Sequence, residues 1–351
     1  MNSMVERIGQ WLDRIDPGVH RRVKGLRLVT AYGIAAMLGA LLDRSYHISG
    51  GSFLSYLAAG FSLWASVSEG QATRWLSTRD LVLLNGAAAA GAASLIGLAP
   101  LLMRHGRLGP EWILIIGAFL VGYLKRFGIT GAGIGSQIYI GQLLGYGIGV
   151  TRADLGLVAL AGLIATVASV VPRLLSGPAE QPTPVSILDA SIEAGGAGKR
   201  SRELRMGLQA AVAAFVIVLV RSVIHLQESA WAITASTYVI AGSATGTADR
   251  VRRRIVGTLI GVPLGIACVP IAMHLPPLAW ILAAMAMIIY AMALPERYDI
   301  ACAAYAFTLM VTLAISGETS MSILAARAWE TLLGGLLGVV AAKVILPLEK
   351  A

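Results

Sequence analysis

The sequence is poor in charged residues, and this excludes an ordinary soluble domain. Only 13% of its 351 residues are Asp, Glu, Lys or Arg, whereas soluble domains carry about 25%. Hydrophobic residues make up 56% of the chain, and the mean hydropathy is +0.74. This composition predicts an integral membrane protein whose surroundings are the lipid bilayer.

Cysteine and the motifs of common enzymes are also scarce. The two cysteines, Cys268 and Cys302, fall inside apolar stretches, and the five histidines lack metal-ligand spacing. The chain has no GxxxxGK[ST] loop for ATP and no nucleophile paired with a base. The N-terminus has no apolar core or cleavage site typical of a signal peptide. We therefore predict a protein that is not an enzyme and that binds no metal or cofactor.

Long apolar stretches predict an all-α polytopic membrane protein, because about 20 apolar residues cross a bilayer as a helix. About 12 transmembrane helices are expected, in two six-helix repeats. The predicted spans cover 26–42, 51–67, 80–103, 111–124, 127–149, 154–175, 204–224, 230–246, 254–273, 277–294, 299–315 and 325–346. The predicted divisions are a basic amphipathic lead-in (1–25), a first repeat (26–175), a cytoplasmic linker (176–203) and a second repeat (204–351).

The two halves show weak internal similarity. A shift of 175 residues aligns three pairs, namely Arg79 with Arg254, Arg152 with Arg327, and Pro172 with Pro347. Six spans in each half would keep the halves in the same orientation. Within the second half, one Arg-x3-Thr-x2-Gly pattern starts at each side of the membrane, which hints at an inverted three-plus-three arrangement.

The basic residues report orientation rather than nucleic-acid binding. The formal charge is +9. If the N-terminus is cytoplasmic, 22 of the 28 Lys and Arg residues fall in cytoplasmic segments. The positive-inside rule then predicts that both termini and the linker are cytoplasmic. Because the charges lie in short loops between apolar spans, we expect no nucleic-acid partner.

Two arginines are the leading candidates for contact with an anion. A guanidinium group presents a planar fork that suits a carboxylate. The alternative is that each arginine anchors a helix end at the lipid headgroups or pairs with a neighbour. Each arginine opens the same helix-face pattern at i, i+4 and i+7: Arg254, Thr258 and Gly261, then Arg327, Thr331 and Gly334.

Four more residues are assigned roles that have an ordinary structural alternative. Glu330 is one of few carboxylates within a predicted span and is a candidate for proton coupling, or it pairs structurally with Arg327. Thr234 and Thr308, like Thr258 and Thr331, either offer hydroxyl groups to a substrate or bond helix backbone. Trp231 either stacks on an aromatic substrate or belongs to the interfacial aromatic belt.

The fifth span is rich in glycine and also contains polar residues. Gln137, Tyr139, Gln142 and Tyr146 lie within it. A span of this kind either lines a cavity or packs tightly as a core helix, and we favour the cavity.

The run from Trp231 to Gly261 contains W-x2-T-A, an arginine-rich turn and R-x2-G-T-x2-G. The tail from Tyr305 to Pro347 adds R-x3-T-L-L-G, beginning at Arg327, and a closing proline. These motifs resemble the fusaric acid resistance protein-like family, which includes bacterial aromatic acid exporters and is distantly related to plant aluminium-activated malate transporters. The specific resemblance covers roughly 204–348. The larger exporters have sizeable cytoplasmic domains, in place of which this chain has a short linker.

The resemblance implies an inner-membrane exporter of aromatic carboxylates or related weak acids, working as a proton-driven antiporter. It also suggests a homodimer and a periplasmic adaptor protein as partners. One alternative is a passive anion channel similar to the malate transporters. Another is a membrane partner that transports nothing.

Overall fold

The computed structural model describes most of the chain and contains helices but no strands in that part. It covers residues 16, 20–45, 53–71, 73–103, 109–176, 196–224, 229–294, 296–315 and 321–345, without the side chains of 103, 196–201, 222–224 and 321–327. Most of the predicted lead-in and linker therefore lie outside the described residues.

Thirteen α-helices run through the described residues. The first half contains α1 (His20–Ser45), α2 (Phe53–Ser68), α3 (Arg74–Met103), α4 (Trp112–Tyr123), α5 (Gly128–Ile148) and α6 (Leu155–Leu175). The second half contains α7 (Gly196–Ile224), α8 (Ser229–Val239), α9 (Ala244–Ala267), the short α10 (Val269–His274), α11 (Pro276–Ala293), α12 (Tyr298–Ile315) and α13 (Met321–Val344). Short 3-10 turns, Leu124–Phe127 and Arg152–Asp154, precede α5 and α6.

Two aspartate side chains accept hydrogen bonds from the first backbone N–H groups of the helices that follow them. Asp43 accepts hydrogen bonds from the backbone N–H groups of Leu54 and Ser55, both at 3.0 Å, at the start of α2. Asp16 accepts from the backbone N–H groups of Arg21 and Arg22 at the start of α1. A negative charge at a helix N-terminus is stabilising because it also opposes the helix dipole.

The helices confirm an all-helical membrane protein, but not the count of twelve spans. Every predicted span overlaps a helix, yet seven helical stretches of the described chain are long and apolar enough to cross a bilayer. One of these stretches, Trp112–Ile148, contains both α4 and α5. α2 is apolar but short, and α8 has only 11 residues, so twelve spans remain a prediction.

Large hydrophobic side chains are exposed on the outer faces of the helices. Leu163, Leu264, Ile281 and Leu336 are each more than half exposed. Soluble proteins seldom expose apolar surface in this amount. These faces are therefore suited to contact with lipid acyl chains.

The second half repeats the packing partners of the first. In the first half α3 packs on α5 and α6, and α6 also packs on α1 and α2. In the second half α9 packs on α12 and α13, and α13 also packs on α7 and α8. Contacts between the halves are reciprocal, because α4 packs on α7 and α11 packs on α1. α3 and α9 begin 170 residues apart, as do α5 and α12.

Close packing between helices depends on glycine residues at the points of contact. A Cβ atom on Gly261 would collide with the carbonyl oxygen of Ala303 on α12. A Cβ atom on Gly334 would collide with the carbonyl oxygen of Ala232 on α8. Both glycines therefore let backbones approach one another where any side chain would separate them.

Candidate functional site

A cavity of about 330 Å³ lies between the two halves of the chain. Helices from both halves line it, with α2 and α5 on one side and α8, α9, α11, α12 and α13 on the other. Its lining comprises Trp64, Val67, Ser68, Ser136, Ile140, Leu143, Leu144, Trp231, Thr234, Tyr238, Arg254, Thr258, Val262, Tyr290, Tyr298, Cys302, Tyr305, Ala306, Leu309, Met310 and Thr331. Its size and largely apolar lining are those of a small-molecule site.

Arg254 brings a positive charge into this cavity from α9. Ser243 caps the helix, accepting a hydrogen bond from the backbone N–H of Gly246 at 3.1 Å. Arg254, Thr258 and Val262 then follow at intervals of four residues, so one face of α9 lines the cavity.

The guanidinium group of Arg254 has few partners. Its Nη1 donates to the hydroxyl of Tyr298 at 3.4 Å, and its buried Nε has no hydrogen-bond partner. No described carboxylate forms an ion pair with it. The neighbouring Arg253 differs, because it pairs with Asp249 at 2.9 Å and donates to the backbone oxygen of Glu296. Arg254 thus brings to the cavity lining a charge that no described carboxylate neutralises.

Three aromatic side chains in the cavity lining contact one another. Trp64 from the first half lies 5.4 Å from Tyr305 and 6.4 Å from Tyr290, measured between ring centroids, in edge-to-face geometry. Tyr290 and Tyr305 are 6.2 Å apart. Such a cluster offers ring faces and edges to a flat aromatic molecule.

Hydrogen bonds between α5 and α8 join the two halves beside the cavity. The hydroxyls of Ser136 and Tyr238 are 2.7 Å apart. Those of Tyr139 and Thr234 are 2.8 Å apart, and Tyr139 is fully buried. These two contacts align α5 and α8 as antiparallel neighbours.

Five of the seven predicted substrate-binding residues lie together in this cavity. They are Trp231, Thr234, Arg254, Thr258 and Thr331. Thr308 does not line it; its hydroxyl donates to the backbone oxygen of Ala304 at 2.9 Å, with a longer contact to Ala283. The backbone-bonding alternative therefore describes Thr308. Thr234 also bonds backbone, through the oxygen of Ala230.

The remaining substrate-binding candidate, Arg327, and the proton-coupling candidate, Glu330, are on α13. The backbone of Arg327 is helical, but its side chain lies outside the described residues. Glu330 is fully buried and is not part of the lining, although Thr331, which follows it, is. Glu330 shares a helix face with Gly334, which packs on α8.

The fifth span lines the cavity through a face other than the expected one. Ser136, Ile140, Leu143 and Leu144 of α5 face the cavity. The side-chain amide of Gln137 instead donates to Ser68, and that of Gln142 donates to Ser94. Tyr139 is hydrogen-bonded to Thr234. Their amide and hydroxyl groups serve helix packing, which was the alternative interpretation of this span.

Tyr298, Cys302, Tyr305 and Leu309 were missed by the sequence reasoning. They recur at i, i+4, i+7 and i+11 on α12, so all share one face of that helix. This periodicity was visible in the sequence. The contributions of Trp64 and Tyr290 had no local signal, because they depend on how the halves pack.

Comparison with known families follows the motifs of the second half. Residues 212–341 match the family model described as fusaric acid resistance protein-like. No curated protein and no solved structure matches the chain. The match confirms the family resemblance over this region, which contains α8, α9 and α12. Together with the apolar helices, it indicates a multi-pass membrane transporter.

Proposed function

From the premise that residues 212–341 are a fusaric acid resistance protein-like region, we propose that the protein exports weak organic acids, in particular aromatic carboxylates. The proton gradient drives the export, and the anion binds in the cavity between the halves. The carboxylate contacts Arg254, while the ring lies among Trp64, Tyr290 and Tyr305.

The unneutralised guanidinium of Arg254 is the observation that supports this function best. No described carboxylate pairs with it, and a buried charge that lacks a compensating partner is costly. A carboxylate supplies an acceptor and a compensating negative charge. The aromatic lining favours a substrate with a ring over a small, strongly hydrated anion.

Glu330 is the proposed proton-coupling group. It is completely buried on a helix of a membrane protein, and carboxyl groups inside the membrane commonly belong to proton relays of transporters. Thr331, the next residue, lines the cavity, so a change in protonation at Glu330 would occur next to the substrate.

The proposal includes the arrangement of the chain in the membrane. We place both termini on the cytoplasmic side of a bacterial inner membrane, following the distribution of Lys and Arg. We also infer that the halves are repeats in the same orientation, with twelve spans. The recurrent packing partners and the reciprocal contacts of α4 with α7 and α11 with α1 support this repeat.

Transport of labelled benzoate by the purified protein in liposomes tests the proposal. Benzoate should accumulate inside the liposomes above its external concentration when the imposed gradient drives protons outward, because an antiporter exchanges an outgoing proton for the incoming anion. An uncoupler should abolish this accumulation. Glu330→Gln should still equilibrate benzoate but should lose the gradient-driven accumulation.

A passive channel makes a different prediction for the same liposomes. It would equilibrate benzoate at a rate indifferent to the gradient and would carry a steady current. No flux above protein-free liposomes, with any aromatic acid, would contradict transport of this substrate class.

A further inference from the structure

The cavity changes in chemical character from one end to the other. α9 and α12 run in parallel, because Gly257 packs at Asp299 and Cys302, while Gly265 packs at Met310. The first lining residues of the two helices, Arg254 and Tyr298, therefore lie at one end of the cavity, and their last lining residues lie at the other.

We call the first end the Arg254 end. It contains Arg254, the hydroxyl of Tyr298 and the Cys302 thiol, which is one helical turn beyond Tyr298. The charge of the cavity is therefore at this end, together with the hydroxyl group of Tyr298.

We call the second end the Leu309 end. Leu309 and Met310 lie 11 and 12 residues after Tyr298 on α12, which is roughly 16–18 Å along the helix. Val262 of α9 is also at this end, eight residues beyond Arg254, which is about 12 Å along the helix. The lining residues that α9 and α12 place at this end are therefore apolar.

We propose that the cavity binds an elongated amphipathic monoanion in one orientation, with its acid group at the Arg254 end and its apolar group at the Leu309 end. This inference rests on the proposed function and adds the pose of the substrate and the residues that limit its length. Among the described lining residues Arg254 is the one cation, so a second carboxylate has no partner there.

The energetics favour this orientation over the reverse. An ionised acid group at the Leu309 end would lose its hydration without gaining a described cation or a set of hydrogen bonds. An apolar group at that end gains about three- to fourfold in affinity for each buried methylene. The aliphatic wall formed by Leu309 and Met310 then limits how long that group can be.

An affinity label that carries an acid at one end and a maleimide at the other tests the orientation. The reagent is 6-maleimidohexanoate, applied to two single-cysteine forms of the intact purified protein. One form, Cys268→Ser, retains Cys302 at the Arg254 end. The other combines Cys268→Ser, Cys302→Ser and Leu309→Cys, with Val262→Cys as a second reporter in place of Leu309→Cys.

Rates are divided by those of N-ethylmaleimide, which lacks the acid and corrects for the accessibility and reactivity of each thiol. We expect the acid reagent to label Leu309→Cys or Val262→Cys about tenfold or more in excess of Cys302, because binding raises the local concentration of the maleimide. Adding Arg254→Gln should abolish this excess.

Each other result has a defined meaning. Preferential labelling of Cys302 would overturn the orientation and leave the proposed function intact. If the acid reagent labels the cysteines at both ends at equal rates relative to N-ethylmaleimide, and Arg254→Gln lowers both rates, the anion binds in both orientations. That result would also overturn a single orientation. No acid-dependent excess at either end, and no effect of Arg254→Gln, would contradict anion binding itself and therefore the proposed function.

Discussion

At the scale of single residues, the environment of a side chain decides its role more than its type does. Thr258 and Thr308 were both predicted to offer hydroxyl groups to a substrate. Thr258 faces the cavity, whereas Thr308 donates to the backbone of its own helix. The two threonines differ because Thr258 lies on the face of α9 that lines the cavity. Which face of a helix lines the cavity depends on tertiary packing and could not be predicted from the sequence.

Replacing Thr258 by valine should weaken substrate binding, whereas the same change at Thr308 should not. Valine keeps the shape of threonine and removes the hydroxyl, and a lost hydrogen bond costs about 0.5–1.5 kcal/mol. We expect the KM for benzoate to rise about threefold to tenfold in Thr258→Val and to stay within about twofold in Thr308→Val. Equal effects of both substitutions on KM would contradict this assignment of the hydroxyl groups.

At the scale of helices, hydropathy located the elements, but their contacts required the structure. Apolar runs predicted a helix at every span because hydrophobicity and helix formation are local properties of the chain. The face that α5 turns to the cavity was not predictable in this way. Both of its faces contain polar residues, and packing on α3 and α4 determines which of them is buried.

The contact between α9 and α12 should be sensitive to any side chain at Gly261. In Gly261→Ala the new methyl group would overlap the carbonyl oxygen of Ala303, and overpacking of this kind costs about 1–3 kcal/mol. The thermal unfolding midpoint in detergent should therefore fall, and the cavity should bind benzoate more weakly.

Gly86 on α3 provides the matched control. A Cβ atom there meets nothing within 4 Å. Gly86→Ala should leave the midpoint unchanged or raise it, because alanine favours helix by up to about 1 kcal/mol. A midpoint that falls equally in both variants would show that general helix effects, and not the close contact, explain the loss.

At the scale of the whole molecule, the site is a product of two halves that resemble each other in packing but not in chemistry. A shift of 170 residues, which aligns the starts of α3 and α9, places Leu84 and Ala88 opposite Arg254 and Thr258. Among the described lining residues, the first half supplies one aromatic ring, aliphatic side chains and two serines but no charge, and the second half supplies Arg254. Site residues of the second half were predictable because the recognisable motifs lie there. Trp64 and Ser136 of the first half were not predicted.

An ion pair across the halves gives the whole molecule a weak dependence on pH. Arg21, at the start of α1, donates to Glu296 between α11 and α12 at 2.6 Å. This hydrogen bond lowers the pKa of the Glu296 carboxyl group below its ordinary value of 4.5. Because the folded pKa is depressed, the stabilisation is complete above pH 4.5 and is lost as the pH falls through the folded pKa.

Comparison of the wild type with Arg21→Gln measures this contribution. Both groups of the pair are partly exposed to solvent, so we expect a difference in unfolding free energy of at most about 1 kcal/mol at pH 7. The difference should shrink as the pH is lowered below 4.5. A difference that stays constant between pH 7 and strongly acidic pH would contradict the ion pair as its cause.

The central claim is that Arg254 binds the acid group of the substrate, and calorimetric titration of benzoate into purified variants tests it most directly. Arg254→Gln should weaken binding about tenfold to a hundredfold, since hydrogen bonds to charged groups are worth about 1.5–3 kcal/mol. Arg253→Gln removes the same charge from the adjacent position, where it pairs with Asp249, and should bind like the wild type. Equal affinities of Arg254→Gln and the wild type would contradict the claim.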